Sequence, residues 1–241
     1  MGKTDRKVLY IICEGDSDDI TLHSSLENYF RQRVSNIKVE ITNGDIAYKD
    51  NINSKNCVDY IEKLVTDHKK KYFLFNTDFI AIVHIIDTDG AFIESSSIVQ
   101  NNSIERNVFS NGKLHTNNKE YMSKRFDKKK DIYKTLYHTD MICGIKYYKF
   151  YFSRNLEHAL YGIENASLSL KKELSNSFDE KYSSSAEDFE KKLKETMNNV
   201  PCDYEKSWDY IFESSNSTER CSNISILLEV VKREFLNKKW K

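Results

Sequence analysis

Two apolar, β-branched runs that stop abruptly in acid constrain this chain more than anything else in it. Val8-Leu9-Tyr10-Ile11-Ile12-Cys13 runs into Glu14-Gly15-Asp16-Ser17-Asp18, and Ile82-Val83-His84-Ile85-Ile86 runs into Asp87-Thr88-Asp89-Gly90. Short apolar runs bounded by turn chemistry read as buried parallel strands. Open α/β sheets bind their ligands at the carboxyl ends of such strands. If the two strands lie side by side, Glu14, Asp87 and Asp89 converge on one small volume. Unpaired carboxylates there repel one another, and a hard divalent cation relieves the repulsion.

The intervening sequence supports parallel pairing. A helix is expected over about residues 18–33, with Ile20, Leu26, Tyr29 and Phe30 on its buried side. A short strand follows at 37–41. Val58, Ile61, Val65 and His68 then recur at helical spacing, which predicts a helix over 55–71. The order β-α-β-α-β, closing with a strand at 79–86, favours right-handed crossovers. Residues 91–141 are polar and read as an insertion. A fourth strand is expected at 145–152, then a helix beginning near Asn155. The expected architecture is α/β: a mainly parallel sheet flanked by helices over residues 1–162, interrupted at about 91–141, then a helical C-terminal region at 163–241.

Composition narrows the function classes. A chain of 241 residues holds one large domain, or one domain with a helical appendage. The formal net charge is zero, so contacts with nucleic acid must come from local patches. Lys124, Arg125, Lys128 and Lys129 form such a patch in the insertion, although charge runs of this kind are most often solvated faces. Arg154 and Lys146, near the fourth strand, are further candidates to neutralise a phosphate. The five Cys are scattered without zinc spacing, which suits reduced thiols. No signal-peptide pattern and no run long enough to span a bilayer is evident, so a cytoplasmic protein without membrane contact is expected.

The pair of strand-end motifs, Cys13-Glu14-Gly15-Asp16-Ser17-Asp18 and Ile85-Ile86-Asp87-Thr88-Asp89, resembles the Toprim fold, found in topoisomerases, bacterial primases, OLD-family nucleases and RloB-like proteins. The likeness spans roughly Val8 to Tyr161, with the insertion unmatched. The OLD-like and RloB-like branches carry a further Glu at the start of a helix after the next strand, and Asn155-Leu156-Glu157-His158-Ala159-Leu160 stands there. The residues before Glu157 depart from the RloB pattern of Pro and Phe, which leaves the subfamily open. The resemblance implies a standalone nuclease acting on DNA or RNA in bacterial anti-phage defence, often gated by an ATPase partner. A homo-oligomer is compatible with it.

The implied chemistry is metal-dependent phosphodiester cleavage. Asp87 and Asp89, at i and i+2, can point the same way from a strand and are the first candidates for direct ligands. Glu14 is a third ligand or the general base. Asp18, Asp16 and Glu157 are candidates for further coordination. An all-oxygen set favours Mg²⁺ or Mn²⁺, one ion or two. Plainer readings stand beside these. Asp16, Ser17, Asp18 and Asp19 are also good cap residues, Glu157 is also a first-turn helix acid, and His84 and His158 read as packed histidines. Two other functions use Asp-x-Asp. In a haloacid-dehalogenase-like phosphatase Asp87 is the nucleophile, but that motif follows a first core strand. A metal-dependent glycosyltransferase leaves Glu14 unexplained. A catalytically silent Toprim-like binding module is the remaining alternative.

Overall fold

Four buried strands lie parallel at the centre of the molecule. The computed structural model describes residues 7–34, 36–44 and 46–237, and only the backbone of Asp16, Ser17 and Ser214. Strands β1 (Lys7–Cys13), β2 (Ile37–Asn43) and β3 (Phe79–Asp87) alternate with helices α1 (Asp16–Arg31) and α2 (Cys57–Tyr72). Three short strands follow, β4 (Ile98–Gln100), β5 (Val108–Ser110) and β6 (Lys113–Thr116), then helix α3 (Lys119–Tyr137). The hairpin β7 (Met141–Ile142) and β8 (Ile145–Phe152) returns the chain to the central sheet. The remainder is helical: α4 (Leu156–Tyr161), α5 (Leu168–Tyr182), α6 (Ala186–Lys194), α7 (Tyr204–Phe212) and α8 (Ile224–Asn237). No described helix is long and apolar enough to cross a membrane.

The central sheet has the order β2-β1-β3-β8-β7, with only β7 antiparallel. The α/β architecture with a mainly parallel sheet flanked by helices is as expected. The central strands β1 and β3 read as apolar runs because both of their faces are covered. On one face Leu9, Ile11, Cys13, Val83 and Ile85 pack with Leu22, Leu26 and Phe30 of α1. Phe178 of α5, Phe189 of α6 and Leu227 of α8 join the same core, while Trp208 and Ile211 of α7 join the core of the opposite face, so the region after residue 163 helps to cover both. On the other face Tyr10, Ile12, Ile82 and Ile86 pack with α2 and α3.

The fold departs from the sequence reading in α1 and over residues 91–141. Ile20 is exposed, and the buried stripe of α1 runs through Asp18, Leu22, Ser25, Leu26 and Tyr29 instead. The stripe therefore begins with an acid. Residues 91–141, read as a polar excursion, divide in two. The small sheet β4-β6-β5 stands apart from the central sheet, although it lends Ile98 and Leu114 to the core. Helix α3 is a core layer, burying Met122, Phe126, Lys129, Ile132, Tyr133 and Leu136 at three- and four-residue spacing. Its many surface lysines conceal that stripe in the sequence.

Candidate active site at the strand ends

Strand alternation decides which way each acid faces. Cys13 and Ile85 point toward α1, so Glu14 turns toward α3 while Asp87 turns toward α1. Strand β3 ends at Asp87, and Asp89 takes a left-handed backbone conformation (φ 51°). The sequence reading that Asp87 and Asp89 project together from a strand is thereby corrected. The turn at Asp89 breaks the alternation and sends the two carboxylates to opposite sides of the sheet edge. Asp and Asn tolerate this backbone region better than most residues. The next residue, Gly90, is also left-handed (φ 70°), and a Cβ there would meet Phe109 Cζ at 2.9 Å.

The turn is fixed by the neighbouring strand. Thr88 N donates to Phe152 O at 3.0 Å, Asp89 N to Arg154 O at 2.9 Å, and Gly90 N to Ser153 O at 3.3 Å. The ends of β3 and β8 are thus stitched together, and Glu157 follows at the first turn of α4.

Toward α1 and α5 lie Asp18, Asp87 and Glu157. Asp18 is buried and accepts a hydrogen bond from Gly15 N at 3.3 Å, so its capping role is real. Burial, and then the neighbouring Glu157, pushes its pKa up to about 7. Burial, followed by Asp18, Glu14 and Asp89, holds Asp87 well above the usual carboxylate range. Asp87 Oδ1 is buried with no hydrogen-bond partner, and so is Glu157 Oε1. The cation on this side is Lys171 of α5, whose Nζ stands 2.9 Å from Glu157 Oε2. Burial opposes its charge, but Glu157, Asp87 and Asp18 raise its pKa. The side chain of Asp16 lies outside the described residues.

Toward α3 lie Glu14 and Asp89. Tyr133 Oη is 3.2 Å from Glu14 Oε1 and 2.9 Å from the carbonyl oxygen of Asp87, and can donate to either. Lys129 donates to Asp89 Oδ2, and Arg125 Nη2 stands 4.0 Å from the same oxygen. Lys129 is fully buried. Desolvation works against its charge, yet Asp89 and Glu14 raise its pKa.

The basic candidates therefore separate. Lys129 belongs to the interior of the site rather than to a solvated patch, because it occupies an apolar position of the α3 stripe. Lys124 pairs with Glu120 on the exposed surface, and Lys128 donates to the carbonyl of Lys49 at 2.7 Å. Arg154 is buried, bonded to Glu164 through Nη1 at 3.1 Å and to the Glu164 carbonyl through Nη2. Lys146 is at the opposite end of β8 from the acids, six residues before Phe152 and so roughly 20 Å away. It cannot serve a phosphate at this edge. His84 Nδ1 meets Tyr147 Oη at 2.7 Å inside the sheet, and burial lowers its pKa to about 3. Burial, with Arg154 and Arg220, lowers His158 to about 4. Both are neutral packed histidines at neutral pH.

Sequence reasoning missed Tyr133 and Lys171. Tyr133 was detectable as a member of the stripe Met122, Phe126, Lys129, Tyr133, Leu136. Lys171 shares a helix face with Ser175 and Phe178, the buried residues of α5, but that face is too sparse to be read alone.

Glu14, Asp18, Asp87, Asp89 and Glu157 offer only oxygen donors, and unpartnered buried oxygens are among them. That chemistry fits a hard divalent cation. Among the described residues, however, no group of three or more His, Cys, Asp or Glu side chains is already arranged to hold a metal ion. Lys129 and Lys171 pair with Asp89 and Glu157, while Asp87 and Asp18, both raised above the usual carboxylate range, make no ion pair among the described residues. No protein-family model, curated protein or solved structure matches the chain.

Proposed function

We propose that this chain is a metal-dependent nuclease of the Toprim type, cleaving phosphodiester bonds of DNA or RNA with Mg²⁺ or Mn²⁺. One observation carries the reading. Five acids, from the ends of β1 and β3 and the starts of α1 and α4, gather at one sheet edge, and burial, with three of the others beside it, holds Asp87 above the usual carboxylate range. Packing this much negative charge against a buried carboxylate is costly to a fold unless something uses it.

In this proposal Asp87, Glu14 and Asp18 hold the ion. When bound, the ion supplies charge stabilisation for the attacking and leaving oxygens of the phosphate. The protein's own groups set the rest. Tyr133 fixes Glu14 through its hydroxyl and anchors the Asp87 backbone. Lys129 holds Asp89 in place and adds a fixed positive charge beside the edge. Glu14, less enclosed than Asp18, can take a proton from water on the open side. An effector role in anti-phage defence, gated by an ATPase partner, follows from the Toprim resemblance alone.

The test is cleavage of mixed DNA and RNA substrates with Mg²⁺ or Mn²⁺, comparing wild type with Glu14→Gln and Asp87→Asn. Loss of polymer cleavage in both variants supports the nuclease. Turnover of a small phosphomonoester that needs Asp87 but ignores Glu14 overturns it in favour of a phosphatase.

A further inference from the structure

Beside Asp89, on the α3 side of the edge, is a half-open cavity of about 220 Å³ whose wall carries three guanidinium groups, those of Arg106, Arg125 and Arg154. Arg125 stacks on the ring of Tyr48 at 3.7 Å, and Arg154 stacks on Phe109 at 3.9 Å. Phe109 sits on the β5–β6 hairpin, closed by the left-handed pair Asn111-Gly112. The Asn165 side chain pins that hairpin, accepting from Phe109 N at 3.0 Å and donating to Phe109 O at 2.9 Å. The rings and the guanidiniums are therefore held by structure on both walls. Glu164 compensates Arg154 and Asp89 faces Arg125, which leaves Arg106, exposed and without a partner among the described residues, as surplus positive charge. Arg154 Nε is buried with no hydrogen-bond partner.

We propose that this cavity takes one unpaired nucleotide of the substrate strand. Its phosphate meets the exposed Arg106, and its base lies against the stacked Arg125–Tyr48 pair, with Phe109, backed by the buried Arg154, on the opposite wall. Arginine planes and aromatic rings are the usual platforms for an unstacked base. The cavity is small and half-open, so one base can seat inside it while the sugar and phosphate stay at the mouth beside Arg106, and a duplex is excluded. Asp89 forms part of the same wall, which sets the bound nucleotide next to the acids. The proposal rests on the nuclease reading and specifies its substrate as a single-stranded or locally unpaired nucleic acid.

The experiment is isothermal titration of the full chain, in metal-free buffer at low salt, with the nucleoside 5′-monophosphates and separately with inorganic phosphate. Saturable nucleotide binding is expected, weakened roughly tenfold by Arg106→Gln, the loss of one charge-assisted contact. Tyr48→Leu should weaken nucleotide binding but leave phosphate binding unchanged, and Lys146→Gln, at the opposite end of β8, should leave both intact. Inorganic phosphate binding as tightly as the nucleotides overturns the base platform. Absence of nucleotide binding, or binding indifferent to Arg106 and Tyr48, overturns the site. The two readings fail separately. Cleavage that needs Glu14 and Asp87 without nucleotide binding keeps the nuclease and rejects the cavity. Nucleotide binding without cleavage of any polymer does the reverse.

Discussion

Lys171 reaches from α5 to stand 2.9 Å from Glu157, a carboxylate only 1% exposed. The pair joins a helix of the C-terminal region to the end of the central sheet, and it stands among acids that Asp87 and Asp18 would otherwise share unrelieved. Removing one partner of a buried pair strands the other. Because Lys171 is itself 29% exposed, the cost of Lys171→Met should be about 2 kcal/mol, below the ~3–5 kcal/mol of a fully buried pair. Urea denaturation measures it. The double variant Lys171→Met/Glu157→Gln should recover most of the loss. A double variant as unstable as the single one would show that the pair does not carry the effect.

Asp18 gives the site a pH signature. Its folded pKa, about 7, lies above the ordinary 3.8. Below pH 3.8 both folded and unfolded chains hold the proton, and the stabilising effect is fully present. As pH rises toward 7 the unfolded chain releases its proton first, so stability falls across that window. Asp87, also raised, acts in the same direction. His84 opposes them, since its lowered pKa of about 3 gains stability as pH rises toward 6.5. Comparing wild type with Asp18→Asn cancels the His84 contribution. Between pH 5 and pH 8 in metal-free buffer, the variant should lose less stability than wild type, and Mg²⁺ should stabilise wild type more at the higher pH. Parallel stability curves would rule out an elevated Asp18.

Tyr133→Phe tests positioning. The variant loses the hydroxyl shared by Glu14 and the Asp87 carbonyl but keeps the ring in the core. Stability should fall by about 1 kcal/mol. Activity, or the metal concentration that supports it, should worsen by roughly 10–100-fold, as for other residues that orient ligands. A stability loss with unchanged metal dependence would assign Tyr133 to packing alone.

Gly90→Ala should destabilise the protein by about 2 kcal/mol, because alanine is strained at φ 70° and its Cβ would press on Phe109. Thermal unfolding reads the change. An unaltered midpoint would mean the turn relaxes freely and that Asp89 is not rigidly presented.

Strands β1 and β3 were legible in the sequence because they are buried on both faces, which makes Val8–Cys13 and, His84 apart, Phe79–Ile86 apolar. The acids that end them were legible for the same reason: charge is conspicuous beside an unbroken apolar run. Helix α3 was not, since its mean composition is dominated by solvated lysines and its stripe contains Lys129 at a core position. The division of Asp87 from Asp89 was also hidden. It depends on a left-handed residue one step past the strand, and the hydrogen bonds that impose it come from β8, more than sixty residues later. Ile20 misled because an apolar residue near the start of α1 outweighed the acid that begins the true stripe.

The three amides that tie Thr88, Asp89 and Gly90 to the end of β8 make Asp89 and Arg154 two teeth of a single comb. Neither can swing aside to suit an incoming molecule without carrying the other. Whatever enters this edge must conform to a spacing already cut into the backbone, so selectivity here is a matter of template rather than of grasp.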